Sequence, residues 1–151
     1  MGLSLVRILR SHKESQHKRK AELFSNVTNI TKILEDEKFV QSRRALRKSK
    51  ILNDLKDGNK NIALISQIDI ATEDSARYVA TTYDRLGFIL KHDNQLELEF
   101  INWQSYIVAD MWLLTKALVT GKWRARNKTY LKEFERLGNL ALQNENIDKK
   151  D

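Results

Sequence analysis

The sequence predicts an all-α protein. Of its 151 residues none is Pro and only five are Gly, so it lacks the punctuation that a many-turned sheet protein requires. Charged residues make up 31% of the chain, a proportion suited to long solvated helix faces. Most directly, apolar residues recur at alternating steps of three and four along several segments, which is the period of one helical face. The expected architecture is a single elongated, mainly antiparallel bundle of four main helices after a basic N-terminal extension, or five if the first two are distinct. The expected boundaries are a basic amphipathic extension over 1–17, the bundle over 18–143 and a polar tail over 144–151, one domain in all.

The elements follow in order. Leu23, Val27, Ile30 and Leu34 step by four, three and four, predicting a first amphipathic helix over about 12–34. Asp36 in the cluster Glu35-Asp36-Glu37 is the expected N-cap of a second helix running to about Lys56. On that helix Phe39, Ser42, Ala45, Leu46, Ser49 and Leu52 share one side, and Arg43, Arg44, Arg47, Lys48 and Lys50 the other. KDGNKN, 56–61, is a break, with Gly58 placed for a left-handed helix end. NIALISQIDI reads as a short helix or buried connector. Thr72, Glu73 and Asp74 are expected to start a helix over 73–91, closed by His92. In ARYVATTYDRLGFIL, the residues Ala76, Val79, Ala80, Tyr83, Leu86, Gly87 and Leu90 form its packing seam, with small residues that allow a close neighbour. Asp84 and Arg85 fall off this seam and are expected as a solvated or interhelical ion pair.

From Gln95 to Val119 the chain is apolar on more than one side, the stripe Phe100, Trp103, Ile107, Leu114 and Leu118, with Val108, Met111, Trp112 and Leu113 beside it, marking the central helix, which Gly121 ends. Tyr130, Phe134, Leu137, Leu140 and Ala141 mark a last helix, with Asn127 as its cap, before the polar tail.

The absence of Cys excludes disulfides, thiolate nucleophiles and Cys-based metal sites and fits a reducing cytoplasm. No run of about 18 apolar residues exists to span a membrane, and MGLSLVRILR lacks both a signal-peptide cleavage pattern and, with Val6, the myristoylation acceptor pattern. The net charge of +7 is uneven: residues 1–50 carry 13 Lys/Arg against 5 Asp/Glu, and residues 51–100 carry 5 against 9. Such a layout suits an anionic partner near the N-terminal half, or a second copy meeting basic against acidic.

RKAELFSNVTNITKILEDEKFVQSRRALRK, then ARYVATTYDRLGFIL, IVADMWLL and YLKEFERLGNLA, resembles the domain-of-unknown-function 4760 family of prokaryotic helical proteins over roughly 18–142. The most specific segments are Tyr83-Asp84-Arg85-Leu86-Gly87 and Phe134-Glu135-Arg136-Leu137. The family often has Glu where this chain has Asp84, and many members begin with a transmembrane helix that has no counterpart here. The resemblance implies neither an activity nor a cofactor, and carries over no catalytic residue.

Phosphate loops, zinc-protease helices, nucleophile elbows and calcium loops are absent. His12 and His17, five apart, fall on different sides of a helix, and no metal site is expected. Glu97 with Glu99 and Glu133 with Glu135 are spaced to diverge, as surface charges do. Asp110, the one acid in YIVADMWLL, requires a partner if buried, with Arg77, Arg85 or a backbone group as candidates; Asp110–Arg85 is the expected structural ion pair. Two basic constellations are candidate anion or partner sites: Arg43, Arg44, Arg47 and Lys48, and, in KWRARNKTY, Trp123, Arg124 and Arg126, with the aromatics offered to exposed bases. Leu5, Ile8 and Leu9, followed by Lys18, Arg19 and Lys20, are candidate contacts for an anionic membrane surface.

The function expected is a non-catalytic helical interaction or regulatory module working through protein contacts, self-association among them, with no cofactor and no small-molecule substrate. The alternatives are a peripheral membrane-surface protein held by the basic N-terminus and a sequence-independent nucleic-acid binder. The expected location is cytoplasmic, with the inner membrane face as the alternative.

Overall fold

The computed structural model describes residues 2–58 and 63–148. Among them every regular element is helical: α1 (Gly2–Glu35), α2 (Glu37–Lys48), α3 (Lys50–Lys56), α4 (Ala63–Ser66), α5 (Ile70–Leu90), α6 (Asn94–Gly121), a 3-10 turn (Trp123–Ala125) and α7 (Lys132–Asp148). The all-α expectation holds. Residues 59–62, which hold much of the expected KDGNKN break, and 149–151 of the expected tail lie outside the described residues.

The chain divides into two compact units, Met1–Glu35 and Asp36–Asp151. The first is the single helix α1, which starts well before the expected position 12 and runs unbroken through 17 and 18, so no helix end marks the expected boundary there. Every residue from 5 to 22 is exposed.

In the second unit, local caps set most helix starts. The Asp36 carboxylate accepts from the Phe39 amide at 3.2 Å, as the sequence suggests. The expected continuous helix to Lys56 is instead two. Ser49 adopts an extended backbone, φ −71 and ψ 116, donates its N–H to Leu46 O and accepts from the Leu52 amide, ending α2 and starting α3 with one residue. Ala45, expected on the packed side, is exposed, whereas Phe39, Ser42, Leu46 and Leu52 are buried. Gly58 follows α3 at φ +95, the left-handed end its position implies. NIALISQIDI contains the short helix α4. The cap of α5 is Asp69, whose carboxylate accepts from the Thr72 amide, so α5 begins before the expected Thr72. Asp93 caps α6 through the Leu96 amide at 3.1 Å.

All seven seam residues of α5 are buried, and the neighbour that comes close is α7. A Cβ on Gly87 would lie 2.9 Å from the Glu133 carbonyl oxygen and 3.1 Å from Leu137 Cδ1. Gly138 does the same service between α7 and α6, against Trp112. Four aromatic rings link α2, α5, α7 and α6 through this core: Phe39 to Tyr83 at 5.2 Å, Tyr83 to Phe134 at 5.5 Å and Phe134 to Trp112 at 5.3 Å between centroids. Burial pushes the Tyr83 phenol up to about 12, against the opposing pull of the Arg43 guanidinium.

Two sequence expectations are corrected on α6 and α7. Trp103 is 58% exposed and Ile107 half-buried, while Leu96, Ile101 and Ala109 join Phe100, Leu114 and Leu118 of the stripe and Val108, Met111 and Trp112 beside it inside. The helix is packed on so many sides that no single stripe read from the sequence marks its inner face. Asn144 and Glu145, expected in a polar tail, lie on α7, and both bond the Ser105 hydroxyl of α6.

Candidate functional site

The residues with chemical potential in the second unit are drawn into its own scaffold, and Asp84 shows how. Helix α7 is preceded by Leu131, 3% exposed and held at φ +62, a conformation that costs a branched residue about 1–3 kcal/mol. Leu131 has no side-chain acceptor for the first amides of the helix. Asp84, on α5, supplies one: a single carboxylate oxygen accepts from the Glu133 amide at 3.0 Å and the Phe134 amide at 3.1 Å. The expected ion pair with Arg85 is thus replaced by a cap delivered from another helix. Asn127, the expected cap, instead folds its own loop, accepting from the Thr129 amide and hydroxyl. An open cleft of about 380 Å³ lies here, lined by Asp84, Arg85, Phe88, Thr129 and Lys132 among others.

Glu133, expected on the surface, is buried and pairs with Lys91 at 3.2 Å and with Arg136 at 2.9 Å. Arg136 also pairs with Glu97 and donates to the Gly87 carbonyl, so one guanidinium joins α5, α6 and α7. Glu135 pairs with Arg124 at 2.6 Å. Asp110 is paired, as its position requires, but with Arg47 at 3.3 Å and Lys56 at 2.7 Å. The expected partners lie elsewhere: Arg77 pairs with Glu73 and covers the Trp123 ring, and Arg85 is exposed at the α7 cleft.

The two basic constellations are correspondingly depleted. Arg43 lies over the Phe39 ring at 4.8 Å, and Arg47 serves Asp110, which leaves Arg44 and Lys48 as outward cations of that face. Trp123, expected to stack on bases, is 9% exposed and donates its indole N–H to Glu73 at 3.0 Å. Arg124 donates to the Tyr130 carbonyl at 2.8 Å as well as pairing with Glu135, and Arg126 stays exposed.

Glu73 and Glu133 also make the stability of the fold depend on acid pH. Hydrogen bonds from Trp123 and Lys122 hold the Glu73 carboxyl below its ordinary 4.5. Burial alone would raise Glu133, but Arg136 and Lys91 outweigh it and hold this carboxyl low too. Because the folded groups ionise at lower pH than the unfolded ones, their stabilisation is complete above about pH 4.5 and is lost as pH falls through the folded values. Melting temperature measured against pH should drop below that point, and Glu73→Gln should flatten the drop.

Besides the cations Arg44, Lys48 and Arg126, large apolar side chains stay outward. On α6, Trp103 (58% exposed) and Tyr106 (72%) are one turn apart, with Leu98 (62%) two turns before Tyr106 and the Arg47–Asp110–Lys56 group one turn beyond it. On α1, Leu5, Val6, Ile8 and Leu9 are each more than half exposed. Among the described residues no group of three or more His, Asp or Glu side chains is placed to hold a metal ion, and no helix is long and apolar enough to cross a membrane.

No family model, curated protein or solved structure matches the chain. The likeness to the domain-of-unknown-function 4760 family rests on the quoted segments alone.

Proposed function

We propose that the protein is a non-catalytic helical interaction module that works through protein contacts, on the scaffold of a mainly antiparallel bundle. The observation that carries this reading is the Trp103–Tyr106 strip of α6. Two large aromatic side chains stand outward on a helix whose opposite faces are packed into the core, with charged groups at one end. Rigid aromatic anchors with a polar rim are what protein interfaces concentrate their affinity in. The pairing of Glu73, Glu133 and Asp110 with cations and the capping by Asp84 support the non-catalytic part, since each of these acids already has a structural task. The occlusion of Trp123 weighs against the nucleic-acid alternative.

A second copy of the chain is the partner to test first. Trp112 and Trp123 are buried, so acrylamide quenching of tryptophan emission reads Trp103. Self-association through the strip gives a light-scattering mass above 17.7 kDa at micromolar concentration and a Trp103 that becomes harder to quench as concentration rises, and Trp103→Ala returns the mass to the monomer. A monomer with constant quenching across that range removes self-association.

A further inference from the structure

We infer that α1 is a foot for an anionic lipid surface, an inference that stands on α1 alone and is independent of the Trp103 strip. A helix gains most of its stability in a protein from an apolar face buried against something, and isolated helices are marginal in water. Over 5–22, more than four turns, every side chain of α1 is exposed. Its composition is graded along the axis. Leu5, Val6, Ile8 and Leu9 are 63%, 56%, 64% and 60% exposed within two turns, with Arg7 and Arg10 between and after them. From Ser11 to Glu22 the helix has no large apolar residue and carries Lys13, Lys18, Arg19 and Lys20 against Glu14 and Glu22. A short aliphatic end that enters the acyl boundary, followed by a cationic shaft lying among headgroups, is the arrangement of an interfacial helix attracted by anionic lipid.

A second copy of the chain offers the cationic shaft a reduced counter-charge. Of the nine acids over 51–100, Asp69, Asp84 and Asp93 cap helices and Glu73 and Glu97 are paired with cations, while the exposed Asp57, Asp74 and Glu99 belong to separate elements, after α3, on α5 and on α6. Nucleic acid would satisfy the shaft but leave the four aliphatic side chains in water. Anionic lipid accommodates both parts of the helix.

The test uses the full chain and phosphatidylcholine vesicles with and without phosphatidylserine. Two triple variants separate the parts: Leu5→Ser with Ile8→Ser and Leu9→Ser, and Lys18→Glu with Arg19→Glu and Lys20→Glu. All six positions are exposed on α1, outside the compact unit Asp36–Asp151, and an unchanged melting temperature verifies that this unit is intact. The expected result is co-sedimentation with the phosphatidylserine vesicles only, weakened about tenfold or more by either variant and by added salt, and indifferent to Trp103→Ala. Three outcomes overturn the inference: no sedimentation with either vesicle, binding insensitive to the aliphatic triple variant, or an aliphatic variant whose only effect is to dissociate an oligomer. A monomeric mass with constant Trp103 quenching, beside retained vesicle binding, would remove the proposed self-association and leave this inference standing.

Discussion

Replacing Gly138 by Ala should lower stability by about 2 kcal/mol, within the usual range for overpacking, although Ala is the better helix former by about 1 kcal/mol. The new Cβ would sit 2.7 Å from Trp112 Cβ and 2.8 Å from Cδ1. The Cβ of Trp112 cannot retreat without moving α6, and the indole, 1% exposed, is held edge-on by Phe134. The clash therefore outweighs the propensity gain. Urea unfolding followed by circular dichroism should show a lower midpoint at unchanged slope. A midpoint at or above the parent's would mean that α7 can shift to admit the methyl. Gly58→Ala is the comparison, because that site has open space and a left-handed backbone, so its cost is conformational and smaller.

Asp84→Ala should cost about 1–3 kcal/mol, because it leaves the Glu133 and Phe134 amides without their acceptor in a partly buried place. Asp84→Asn keeps an oxygen at the same reach and should recover most of the loss. Arg85→Ala should change stability by less than about 0.5 kcal/mol, since Arg85 is exposed. Thermal and urea unfolding of the three variants decide between cap and ion pair. Equal losses for Ala and Asn would assign the effect to negative charge near the helix start rather than to the hydrogen bonds.

What the sequence made legible was local. The α5 seam, the Asp36 cap and the left-handed Gly58 each follow from residues within a turn or two of one another, and each stands in the structure. Where two local readings competed, the wrong one could win: Thr72 has the profile of a cap, but Asp69 sits three residues earlier and takes the Thr72 amide itself. Ser49 hid because Leu46, Ser49 and Leu52 keep helical spacing across the break. The task of Asp84 and the partners of Asp110 could not be read in this way, because both depend on which helices become neighbours. Trp103 illustrates the opposite limit. An apolar residue on a helix packed from several sides fits the inner pattern equally well when it faces outward.

The borrowed cap has a consequence for the order in which the chain folds. The caps of α2, α3, α5 and α6 reach only three residues along the chain, so those helix starts can form while the rest is still extended. The cap of α7 comes from a residue 49 positions earlier, and the entry residue Leu131 must be held in a strained conformation as well. The first turn of α7 is therefore conditional on α5 having docked. Residues 131–148 made as a peptide should show less helix per residue than 69–91, and in the whole chain the Glu133 and Phe134 amides should exchange with solvent as soon as α5 and α7 part.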